Sequence, residues 1–123
     1  MNLWLDDVRN PSDFGAIGFE WAKTAAEAVA LLKTGAVEFA SLDHDLGACP
    51  TCLNGRTETD WLIEHGGQSM PNCEHWGTGY DVVCWMEEHG IWPPRGVFVH
   101  SANPVGAAKM RQAIARHYDE AGA

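Results

Sequence analysis

Three apolar runs in this chain break off at ionisable or proton-transferring residues. NLWL (2–5) meets Asp6-Asp7, VEFASL (37–42) meets Asp43-His44-Asp45, and the run in GVFVHS (96–101) ends on His100-Ser101. Short apolar runs bounded by turn signals read as strands. Strands separated by helical patterns imply an α/β domain with a mainly parallel sheet. In such sheets the functional crevice lies outside the carboxyl ends of the strands, where the strand order reverses. All three polar clusters fall at that edge, and half-burying so many charges there is costly without a purpose.

The remaining elements follow from spacing. A weak second strand is expected near Phe19–Lys23. Thr24, with Glu27 three residues on, predicts a capped helix carrying Ala25, Ala28, Val29 and Leu32 on one face and stopping at Gly35. Thr78 with Asp81 starts another, with Val82, Val83, Trp85 and Met86, ending at Gly90. Cys84, flanked by Val83 and Trp85, is expected as a buried thiol. Asn103 reads as an N-cap and Pro104 as the first residue of a last helix, whose inner stripe is Met110, Ala113, Ile114, His117 and Tyr118. Right-handed crossovers would then cover both sheet faces. The expectation is one domain over residues 1–123, a small three-layer α/β unit with about four strands.

With 17 acidic residues against 8 Lys and Arg, the formal net charge is −9. A grip on long nucleic acid needs a basic footprint, so such a partner is not expected. A short phosphorylated ligand remains compatible, because bound cations reverse the local field. The acidic surface could also serve a protein partner. No apolar run approaches the ~20 residues of a membrane span, and no basic-then-apolar leader opens the chain, which points to a cytoplasmic protein.

Carboxylates converging on one crevice repel unless a cation sits among them. Oxygen ligands of this kind suit a hard divalent ion, Mg²⁺ or Mn²⁺. Asp7 and Asp43 are the first candidates, then Asp6, then Asp45. Alternation along an extended segment sends Asp43 and Asp45 to one side and His44 to the other, and Asp45 is equally well placed to cap the following turn. His100 suits proton transfer near neutral pH, with His44 as a second candidate. Ser101 can orient a phosphoryl oxygen, while Arg9 and Asn103 are candidates for holding phosphate. His89 and His117 are assigned no role.

Residues 48–76 lack periodicity, apart from a helical turn around Trp61–Glu64, and exceed an ordinary loop. Within them Cys49, Cys52, Cys73 and His75 form a Cys₃His set suited to structural zinc, with His65 able to replace one ligand. The segment is expected as a zinc-binding insertion beside the crevice.

An acid pair after the first strand and an Asp after the third resemble a two-component receiver domain, a flavodoxin-like fold. Asp6, Asp7 and Asp43 fill its acidic positions, and Ser101 matches the hydroxyl residue ending its fourth strand. The fifth strand and its lysine have no match, so the chain looks truncated relative to a full receiver. The phrases LWLDDVRNP, SLDHDLG, GTGYDVV and HSANPVG resemble a narrower family, the cyclic-phosphate processing receiver domain. That resemblance implies a metal-dependent phosphoesterase-like protein acting on a cyclic or terminal phosphate, such as 2′,3′-cyclic phosphate ends of RNA. The alternatives are a non-catalytic adaptor or inhibitor module, and a switch phosphorylated on Asp43.

Overall fold

In a computed structural model, which describes residues 1–68 and 72–122, the chain forms four parallel strands and five helices. The strands are β1 (Asn2–Leu5), β2 (Glu20–Ala22), β3 (Phe39–Leu42) and β4 (Val97–Val99). The helices are α1 (Ala25–Leu32), α2 (Pro50–Leu53), α3 (Glu58–Glu64), α4 (Gly79–His89) and α5 (Pro104–Gly122). Spatial order is β2-β1-β3-β4, so the chain reverses direction across the sheet between β1 and β3. This is a small receiver-like α/β fold carrying a Cys/His-rich insertion. Of that insertion, residues 69–71 lie outside the described residues.

Register explains the faces. Leu3 pairs with Ala40, and Leu5 with Leu42, which aligns in turn with Val99. These side chains point the same way and bury against Ala28 and Leu32 of α1, Val82, Val83 and Met86 of α4, and Ala107, Met110 and Ala113 of α5. Trp4, Ser41 and Phe98 align on the opposite face. A right-handed step from β1 to β2 must cross that second face. Here the crossing is residues 6–19, with one 3₁₀ turn at Pro11–Phe14 instead of a long helix. The expected third layer is therefore thin. Phe14 stacks on Trp4 at 5.9 Å and Phe19 meets it edge-on at 6.4 Å, leaving Phe98 59% exposed. An aromatic cleft of about 310 Å³ remains, bounded by Trp4, Phe14, Phe39, Phe98 and His100.

Helix caps follow the expected residues with one shift. Thr78 and Asp81 cap α4 reciprocally, at 3.3 and 2.9 Å. Thr24 accepts from the Glu27 amide, but the Glu27 carboxylate turns back to the Lys23 amide, one residue earlier than a capping box requires. The turn near Trp61 is a longer helix, α3, because Thr57 and Asp60 cap it reciprocally. Asn103 accepts from the Gly106 amide at the start of α5. Met110, Ala113 and Ile114 are buried as expected, while Tyr118 donates to the Pro93 carbonyl at 2.6 Å. Cys84 corrects the reading: it is exposed. On a helix, sequence neighbours lie 100° apart, so Val82, Val83 and Met86 take the inner face and Cys84 turns outward.

At Gly79 α4 presses on the end of β3. A Cβ there would fall 1.8 Å from the Asp43 carbonyl oxygen and 2.8 Å from Met110. Helix propensity alone would make Gly79→Ala stabilising by about 1 kcal/mol. A backbone clash of this size outweighs that, so the variant should lose about 3 kcal/mol. Urea unfolding midpoints of the two proteins check the sign.

Candidate functional site: an acidic pocket at the switch point

Ladder hydrogen bonds continue past the strands and place the three polar clusters. The Asp6 amide donates to Ala22 O at 3.0 Å, the Asp43 amide to Leu5 O at 2.9 Å, and the His100 amide to Leu42 O at 3.0 Å. Asp6 is fully buried, Asp43 is 8% exposed and Asp7 is half-buried. Their carboxylate oxygens gather within 4.8 Å of one another.

Each carboxylate has its own support. Asp6 Oδ1 accepts from the amides of Val8 and Arg9, at 3.0 and 2.9 Å, and its carbonyl accepts from the Trp21 indole at 2.7 Å. Asp43 Oδ1 accepts from the His44 amide at 2.8 Å, and Ser101 hydrogen-bonds the same carboxylate. Burial, and then the neighbouring Asp6 charge, push the Asp43 carboxyl up to about 6 against those hydrogen bonds and Arg9. A buried acid beside another acid resists ionising until a positive charge arrives.

His100 does not stand free over the pocket. Its Nε2 lies 3.1 Å from Asp6 Oδ2 and its Nδ1 lies 2.7 Å from Ser41 Oγ. A carboxylate only accepts, so Nε2 carries the proton and the Ser41 hydroxyl donates to Nδ1. The ring stacks on Trp4 at 4.0 Å with 9° between planes, and burial pulls its pKa down against the pull of Asp6. The Arg9 guanidinium donates to the His100 carbonyl at 3.2 Å, so it borders the same pocket.

Asp45 stands apart from the three gathered acids. It meets His44 Nδ1 at 2.8 Å and accepts from Asn72 at 2.9 Å and Asn103 at 3.3 Å. Burial raises its pKa, but those three contacts outweigh burial and leave the group below its usual value. The turn after it is held by Asn72, whose Oδ1 accepts from the amides of Leu46 and Gly47. The His44 ring sits against Gly106, where a Cβ would come within 2.5 Å of it.

Cys49, Cys52, Cys73 and His75 form a second group whose ligand atoms also lie within 4.8 Å of one another, and it can hold a metal such as zinc. His75 Nδ1 lies 3.2 Å from Cys52 Sγ and 3.6 Å from Cys49 Sγ. Burial pushes the Cys73 thiol up, but amides of Cys49 and Trp76 reverse this and bring it to about 7. His65 is not in the group: it stacks on Trp61 at 3.8 Å. His89 and His117 likewise stack on Trp85 and Trp92.

Sequence reasoning missed Ser41, Trp4 and Asn72. Alternation in SLDHD already puts Ser41 on the face of Asp43, so Ser41 was within reach. Trp4, read as one residue of an apolar strand, shows its role only when its ring meets His100. Asn72 acts across 27 positions on Asp45, and no local pattern signals that.

An acid triad at the switch point of a parallel sheet, with a hydroxyl residue at the end of the fourth strand, defines a receiver-like domain. The family model for the cyclic-phosphate processing receiver domain matches residues 1–116, so the chain belongs to that family. Membership supports a role related to cyclic-phosphate processing and fits a phosphorylated or RNA-end ligand. No curated protein and no solved structure matches the chain. No helix among the described residues is long and apolar enough to cross a membrane.

Without a bound cation, Asp43 keeps its proton to about 6 when folded, against 3.8 ordinarily. Its contribution to stability is therefore present at low pH and is lost as pH rises through about 6. Asp43→Asn retains an acceptor without the charge. In chelator, it should stabilise the protein at about pH 7.5, on the order of 2 kcal/mol, and leave stability unchanged at about pH 4. Thermal melts at the two pH values measure the difference.

Proposed function

We propose that this protein is a phosphoesterase-like processor of cyclic or terminal phosphates, working with a divalent cation held by Asp6, Asp7 and Asp43. The observation that carries the reading is the gathering of three carboxylates, two of them buried, at the switch point beside Arg9 and Ser101. The donor set fits: all-oxygen, anionic ligands suit Mg²⁺ or Mn²⁺. Such an ion, when bound, polarises a phosphoryl group and neutralises charge developing on it.

The chain's own groups divide the remaining work. Arg9 offers a fixed positive charge at the pocket rim. Ser101, beside the Asp43 carboxylate, orients a phosphoryl oxygen. His100 is a positioning residue, because Nε2 and Nδ1 are both engaged and its contact with Asp6 sets that carboxylate's direction. His44 is the better candidate for moving a proton to the leaving oxygen. Asp45 holds its Nδ1, which leaves Nε2 as the exchanging atom. Phosphorylation of Asp43 uses the same acids and would leave a stable phosphoryl adduct visible by intact mass.

Incubation with a 2′,3′-cyclic nucleotide and Mn²⁺ should open the ring, and Asp43→Asn should lower that rate by at least about 100-fold. His44→Ala should lower kcat more than KM. Wild-type turnover in folded Asp43→Asn protein would overturn the assignment. Retained divalent binding with no turnover on any cyclic phosphate would leave a binding module instead.

A further inference from the structure

The insertion between β3 and α4 is poorly supplied with the means to order itself. Helix α2 has four residues and buries none of them; α3 has seven, and Leu62 and Ile63 beside its end are 40% and 75% exposed. Helices this short are marginal without tertiary packing. Ordering each residue costs roughly 1–2 kcal/mol, and past Cys49 no described side chain of the segment up to Trp76 is buried to offset it. Another interaction must hold the segment.

The geometry points to a structural zinc ion bound by Cys49, Cys52, Cys73 and His75, which pins this insertion against the acidic pocket. The four ligand atoms come from both ends of the segment and converge within 4.8 Å without any disulfide among them. Three sulfurs and one imidazole nitrogen are the donor set of a tetrahedral zinc site, and softer than any site for Mg²⁺ or Ca²⁺. Four protein ligands close the coordination sphere, so the site is structural and not hydrolytic. Outer hydrogen bonds are in place: Cys73 Sγ accepts from the amides of Cys49 at 3.2 Å and Trp76 at 3.5 Å. Amide donors of this kind orient and stabilise a metal-bound thiolate.

The zinc-bearing limb is stitched to the pocket wall. The Cys73 amide donates to Gly47 O at 3.3 Å, the Gly77 amide to Cys73 O at 3.0 Å, and the Ala25 amide to Trp76 O at 2.9 Å. Gly47 faces Asp7: a Cβ at Gly47 would lie 3.2 Å from Asp7 Oδ2 and 3.9 Å from the Trp76 ring. Zinc thus holds Gly47 where it borders Asp7, with the Trp76 ring beside Gly47. This inference stands independently of any reaction at the acids.

The test uses the full chain, purified reduced. Metal analysis should find one zinc per chain, and exchange with Co²⁺ should give the intense visible bands of tetrahedral cobalt with thiolate-to-cobalt charge transfer. Cys52→Ser should weaken zinc retention against a chelator by more than the roughly 10–100-fold that an outer hydrogen-bonding partner is worth. Cys84→Ser and Asp43→Asn should keep stoichiometric zinc and the cobalt spectrum, so failure at the acidic pocket is distinguishable from failure here. Stripping zinc should open residues 48–76 to protease while the rest of the chain stays resistant. No zinc uptake at stoichiometric ratio, weak octahedral-type cobalt bands, or protease resistance unchanged by stripping would each overturn the proposal. If Cys52→Ser does not fold, the wild-type stoichiometry and cobalt spectrum still decide.

Discussion

The parallel ladder between β1 and β3 is the constraint on which the rest depends. Its last rung, the Asp43 amide on Leu5 O, sets Asp43 beside Asp6 instead of a residue earlier or later. A one-residue slip would turn Asp43 to the other face and Leu42 into the pocket. The same register places Leu3, Leu5, Ala40 and Leu42 on the face that α1, α4 and α5 bury. Core and pocket are therefore two consequences of one alignment. Gly79 belongs to it as well, since only a residue without Cβ lets α4 approach the Asp43 carbonyl.

Charge in the pocket is managed by neighbours more than by water. Asp6 is fully buried yet satisfied by two amides and the His100 ring. His100 is in turn fixed by Ser41 and by the Trp4 plane. Buried polar groups persist only when every partner is supplied, and among the described residues no buried side-chain polar atom lacks one. Asp43 carries the strain of this arrangement, because its carboxyl is the one pushed to about 6.

The two faces of the sheet are unequal. Parallel sheets are ordinarily covered on both sides. Here one side carries three helices, and the other carries the 6–19 crossing with an aromatic cleft. His100 belongs to both the cleft and the pocket, which links the thin face to the acids through one ring.

Much of this was legible in order. Apolar runs ending in Asp6-Asp7, Asp43 and His100-Ser101 implied parallel strands whose polar ends share one edge, because alternation and crossover handedness leave few other arrangements. The Cys₃His set and three helix starts were readable for the same reason: caps and ligand spacings are local. Cys84 was misread because two further steps of 100° carry it from Val82 to the far side of α4, outside the arc that Val82, Val83 and Met86 share. The roles of Asp45 and His100 could not be read locally, since their partners, Asn72, Asn103, Ser41 and Asp6, come from distant segments. By itself the sequence determined which chemical groups stand at the strand ends. Only the tertiary structure decided that Asp6 and Asp43 share a pocket while Asp45 joins His44, because ladder register and side-chain direction arise from contacts between segments far apart in the chain.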